Sequence, residues 1–177
     1  MTTFPPWAAG QRITGAALRA GLPDWTSKPI DEPRTSTTTL QADLHLTLPL
    51  PAAGVYTFDA QLFIGAGDSA ADLKLALNFP AASTCHFGVL GAHPGSLTSG
   101  TSGSGEYFAM RNAQPSGAGS TYLSVAVSSG APTWAHVEGI LTTPAAGALT
   151  LVWAQVTSSA TATKLLAGSH LELRRRA

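Results

Sequence analysis

"QADLHLTLPLPAAGVYTFDAQLFI" runs from residue 41 to residue 64, and its period decides the fold class. Leu44, Leu46, Leu48 and Leu50 alternate with His45, Thr47 and Pro49. Successive side chains of a strand point to opposite faces, so this alternation predicts a strand with one apolar side. "PAAG" (residues 51–54) supplies a turn, after which Tyr56, Phe58, Ala60, Leu62 and Ile64 resume the same period. A helix would repeat every 3.6 residues, and nothing here does.

The pattern continues toward the C-terminus. In "DLKLALNF" (residues 72–79), Leu73, Leu75, Leu77 and Phe79 oppose Asp72, Lys74 and Asn78. Further strands are expected in "CHFGVL" (85–90), "EYFAM" (106–110), "YLSVAVS" (122–128), "TWAHVEGILTT" (133–143), "ALTLVWAQVT" (148–157) and "SHLELRR" (169–175). "GAGD", "PAAS", "SSGAP" and a second "PAAG" separate them. Eight to ten short antiparallel strands with no helical insert predict an all-β sandwich, with a jelly roll as the preferred arrangement. Val55, Phe63, Ala76, Val125 and Val127 fall on the faces opposite the leucines. Apolar residues there predict an interface with a further copy or partner. "GSLTSGTSGSGE" (residues 95–106) reads as a long Gly/Ser surface loop.

Upstream of residue 40 the period is lost. "QRITGAALRAGL" (residues 11–22) has helical spacing at Ile13, Ala16, Ala17 and Leu18, with Thr14 as a cap and Gly21-Leu22-Pro23 as a stop. "TSKPIDEPRTSTTT" (residues 26–39) carries two prolines and no apolar period, so it reads as an extended arm. Residues 1–39 are therefore expected to be a helix and arm for attachment, and residues 40–177 the head. A helix this short needs a surface to pack on. Trp7, Ile13, Leu18, Leu22 and Trp25 are the expected docking anchors, since large apolar side chains carry much of the energy of interfaces.

Composition narrows the function. Charged residues make up 11% and the net charge is zero, against a usual charged share of about 25%. So little charge leaves a lone monomer poorly protected against association, and predicts that copies of the chain or a larger particle cover it. The charge balance also speaks against nucleic acid, which needs a basic face. The single cysteine, Cys85, excludes an intrachain disulfide and reads as a small buried hydrophobe. The N-terminus has no signal-peptide pattern, and no apolar run reaches the ~18 residues of a membrane span. These features predict synthesis in the cytoplasm and no membrane partner.

A search for catalytic patterns returns little. "GTSGSG" (residues 100–105) has its glycines and serines out of register for a nucleophile elbow. Neither a dinucleotide-binding glycine pattern nor a phosphate loop occurs. The five histidines (His45, His86, His93, His136 and His170) never form H-x-H, although His136 and Glu138 share a strand face and His45 alternates outward. Structural histidines are the expectation, with no metal or cofactor. Four Glu and six Asp leave scant material for a glycosidase pair. The chain is expected not to be an enzyme.

Three longer stretches carry a resemblance. "FPPWAAGQRITGAALRAGLP" (residues 4–23) is similar to the W-x-A-G-Q-x-I-T-A openings of small structural proteins of actinobacterial (Streptomyces-type) tailed phages and prophages. "SKPIDEPRTSTTTLQADLHLTLPLPAAGVYTFDAQLFI" (27–64) and "HVEGILTTPAAGALTLVWAQVTSSATATKLLAGSHLELRR" (136–175) resemble the same proteins. Residues 139–141, 147–155 and 168–173 also resemble the last strands of trimeric jelly-roll heads of the tumour-necrosis-factor and complement type. The resemblance implies a homotrimer with Leu149, Leu151, Trp153, Leu171 and Leu173 near its axis. It further implies a place in a virion, docked on the major capsid protein or on tail proteins as decoration or cement. A tail-fibre or receptor-binding head is the alternative, recognising host surface carbohydrate through loops 91–105 and 112–121 and through Tyr107, Tyr122 or Trp134. "RRRA" (residues 174–177) would pair with acidic groups of a docking partner.

Overall fold

A computed structural model of the chain describes residues 10, 12, 14–15, 22–65, 67–92, 108–115 and 121–176. Most of the helix expected over residues 11–22, and with it Trp7, Ile13 and Leu18, lies outside the described residues. So do most of loops 91–105 and 112–121, and Tyr107.

The described chain is all-β, in twelve strands: β1 (Asp24–Ser27), β2 (Glu32–Arg34), β3 (Gln41–Leu50), β4 (Gly54–Gly65), β5 (Leu73–Asn78), β6 (Thr84–Ala92), β7 (Phe108–Ala113), β8 (Leu123–Val125), β9 (Thr133–Thr143), β10 (Gly147–Gln155), β11 (Thr163–Leu165) and β12 (His170–Arg175). They form two antiparallel sheets. The larger runs β1-β12-β4-β9-β6-β7, with β11 beside β4 and β2 beside β11. The smaller runs β3-β10-β5-β8.

The predicted alternation builds the core between these sheets. Leu46, Leu48, Leu50, Leu73, Leu75, Leu77, Leu149, Leu151 and Trp153 come from the smaller sheet and are buried. Tyr56, Phe58, Leu62, Ile64, Val137, Leu141, Leu171 and Leu173 meet them from the larger one. Each such side chain contributes roughly 1.5–3 kcal/mol on leaving water. Cys85 lies in the same core, and burial pushes its thiol up to about 12. Tyr56 Oη donates to the carbonyl oxygen of Ala52 at 2.7 Å, which pins the β3–β4 turn.

Two close-packed points depend on glycine. Gly139 sits opposite Phe58 and Phe87, and a Cβ there would collide with the Phe58 ring and the carbonyl oxygen of His86. Gly168, with φ of 86°, makes the left-handed step between β11 and β12.

Three expectations change. Leu44 does not join the apolar face: it is 75% exposed. The β3–β10 register jumps from Thr150↔Thr47 to Val152↔Ala42, so β3 carries extra residues at this point. Asp43 holds the bulge, its Oδ1 accepting the backbone N–H groups of His45 and Leu46 at 2.9 Å each. A bulge shifts the phase of alternation, and Asp43 turns inward in place of Leu44. Secondly, Ala76, Val125 and Val127 are buried within the single chain and are not outward interface residues. Only Phe63 of that set is exposed, with Val55 half-buried. Thirdly, residues 26–39 are extended as expected but are not a free arm. β1 pairs with β12 from Asp24↔Leu173 to Ser27↔His170, and β2 pairs with β11.

Candidate functional site

The edge formed by β1 and β3 starts with buried charges. Lys28 follows β1 directly, and its side chain is fully enclosed. Its Nζ donates to Glu32 Oε2 and to Asp43 Oδ2, both at 2.7 Å. Asp43 Oδ2 also accepts Trp153 Nε1–H at 3.0 Å. Arg34 lies over the Trp153 ring at 3.9 Å and donates to Glu32 Oε1, to the backbone carbonyl of Trp153 and to those of Gln41 and Ala42. Two cations meet two carboxylates, so the group is neutral and its lone pairs and protons are satisfied. Burial alone would raise the Asp43 carboxyl, yet Lys28 and the two backbone N–H groups outweigh it and hold it below the ordinary value.

This ionic clip fastens residues 28–34 onto β3 and β10. Thr26 Oγ1 donates to the carbonyl oxygen of His45 at 3.1 Å, tying edge strand β1 of one sheet to edge strand β3 of the other. Trp25 on β1, Leu44 on β3, and Leu22 and Ile30 close to β1 in sequence are each at least 60% exposed. Met110, Tyr122 and Ile140 are exposed elsewhere among the described residues, but four large apolar side chains on or near two neighbouring edge strands are the arrangement expected of an interaction surface. Of the five expected anchors, Leu22 and Trp25 are thus accessible, with Trp25 on a strand and not at a helix end.

The residues expected near a trimer axis behave otherwise. Leu149, Leu151, Trp153, Leu171 and Leu173 are 0–2% exposed inside one chain, so no neighbouring copy can reach them. They fill the space between the sheets, whereas β12 presents His170, Glu172 and Arg174 on its other face. The terminal arginines are not a loose tail either. Arg175 Nη2 donates to Ala53 O at 3.0 Å, and Arg176 Nε donates to Thr57 Oγ1 at 3.1 Å.

A second polar feature lies on the outer face of the larger sheet. Asp59 on β4 is directly opposite Glu172 on β12 and Glu138 on β9. His136, two residues before Glu138, bonds through Nε2 to Asp59 Oδ2, and Trp134 stacks on its ring at 5.9 Å. Asp59, Glu138 and Glu172 border a groove of about 870 Å³, lined also by His86, Asn112, Arg174 and Arg176. The sequence pairs His136 with Glu138 by spacing alone; Asp59, 77 residues away, was missed because only strand register brings it there. His45 is at the β1–β3 edge and takes no part. Tyr122 is exposed beside Lys74, whose Nζ is 5.0 Å from its ring, on the smaller sheet.

No protein-family model matches the chain, and no curated protein matches its sequence.

Proposed function

We propose that the chain is a non-enzymatic structural protein of a tailed-phage virion. In this reading it forms a homotrimeric jelly-roll head docked on the particle surface through its N-terminal segment, as a capsid decoration or cement protein. The observation that carries it is the apolar edge: Leu22 and Trp25 face solvent beside the ionic clip, at the end of the segment that resembles virion proteins. The strand orders β1-β12-β4-β9 and β3-β10-β5-β8 support the jelly roll, since the chain crosses between the sheets at every step from β2 to β6 and again from β7 to β11. The scarcity of charge supports burial against copies and particle. The docking partner is the major capsid protein or a tail protein, and no cofactor is involved. Three arms binding together would tighten weak docking by about 10²–10⁴-fold through effective concentration.

Light scattering on the purified chain tests the assembly. A mass of three times 18.1 kDa is expected, and a monomer overturns the trimer. Removing residues 1–21 leaves all twelve strands intact in sequence. The truncated chain should stay folded and trimeric but no longer sediment with virions. Unfolding of the truncated chain would make the segment a part of the head and overturn docking.

A receptor-binding head is the second reading, favoured by half-buried Trp134, which stacks on His136 beside Asp59 and has a ring on which a sugar could stack. Glycan binding by the full chain that Trp134→Ala abolishes would select it over the decoration role.

A further inference from the structure

We propose that Asp59, His136 and Glu138 form a binding site for a divalent transition-metal ion of the zinc type on the outer face of the larger sheet. The inference rests on the sheet alone and is independent of the virion reading. β4 and β9 pair without interruption from Gly54↔Thr143 to Ile64↔Thr133, so the three side chains project from the most continuous pairing in the molecule. One imidazole nitrogen and two carboxylate oxygens lie within 4.8 Å of one another. A zinc ion with bonds of about 2.0–2.2 Å needs donors roughly 3–4 Å apart. Exposed Glu138 can close the remaining gap by rotating its side chain.

The register supplies the electrostatic reason. Glu172, Asp59 and Glu138 stand side by side on three adjacent strands. Like charges directly opposite one another destabilise a sheet, and this chain has only ten acidic residues in all. Of the two arginines that line the same groove, Arg174 and Arg176, the second is engaged with Thr57. A bound dication would relieve the row. The donor set selects among ions: imidazole with carboxylates suits zinc and its first-row neighbours, whereas calcium and magnesium take oxygen donors. Trp134 stacked on His136 would fix the ring plane, as outer groups do at metal sites.

The test is calorimetric titration of the full chain, stripped with a chelator, with zinc chloride, and with calcium chloride as the contrast. One saturable zinc per chain and no calcium is expected. His136→Ala, Asp59→Asn and Glu138→Gln should each weaken zinc binding at least about 100-fold, more than loss of an outer-shell group costs. His86→Ala, on the same face, should leave it unchanged. Circular dichroism of the metal-free variants checks folding, and the exposed Glu138→Gln change keeps the test valid if the others misfold. Failure of the wild-type chain to bind zinc saturably overturns the proposal. So does binding that survives Glu138→Gln, or that His86→Ala removes.

Discussion

Asp43 is the residue on which the β1–β3 edge turns. One carboxylate oxygen caps the bulge in β3, and the other accepts from Lys28 and Trp153. Asp43→Ala removes a partner from a buried cation and is expected to cost about 3–5 kcal/mol in urea denaturation. Its pH dependence follows from the direction of its shift. The folded carboxyl titrates below 3.8, the ordinary value, so the folded state binds fewer protons than the unfolded one in acid. The contribution of Asp43 is full above about pH 4 and disappears as pH falls through the folded value. Melting temperature should therefore hold near neutrality and fall steeply below about pH 4, with Asp43→Asn flattening part of that fall. Gly139 is a second point of sensitivity. Gly139→Ala drives a methyl into the Phe58 ring and a backbone carbonyl, and should lower stability by about 1–3 kcal/mol or more in the same assay. Neither role was legible beforehand: "QADLHL" reads as plain alternation, and nothing local distinguishes Asp43 from a solvated acid.

At the scale of elements, the edge strands carry the consequences. β1 has one paired side, to β12, and meets β3 only through Thr26 and side-chain packing. Trp25 and Leu44 project from these edges into solvent, where their replacement removes little packing. Trp25→Ser and Leu44→Ser should each change stability by no more than about 0.5 kcal/mol in urea denaturation. If the edge docks on a particle, the same substitutions should abolish cosedimentation with virions. Strands β3, β4, β5, β9, β10 and β12 were readable as strands because apolar alternation is a local signal. β1, β2 and β11 were not: they run three or four residues each, and β2 contains Pro33. Their strand state comes from pairing with distant partners and from the ionic clip.

Across the whole molecule, two layers enclose one continuous core, and the chemistry lies on the outside. The exposed apolar edge and the carboxylate–histidine row occupy different surfaces: the first follows β1 and β3, the second crosses β12, β4 and β9. Variants of one should therefore leave the other intact, which separates assembly from ion binding in experiment. The sequence alone determined the all-β class, the two-faced strands and nearly every leucine of the core, because period two and turn residues act over a few positions. It also determined that Cys85 is buried and that charge is scarce. Only the tertiary structure decided which side of each strand met the other sheet. It placed Leu149, Leu151, Trp153, Leu171 and Leu173, expected near a trimer axis, in the core of the single chain. It likewise brought Asp59 to His136 and Lys28 to Asp43. The physical reason is the same in each case. Alternation says that a strand has an apolar face, but register and layer order, set by contacts between residues far apart in the chain, say what that face touches.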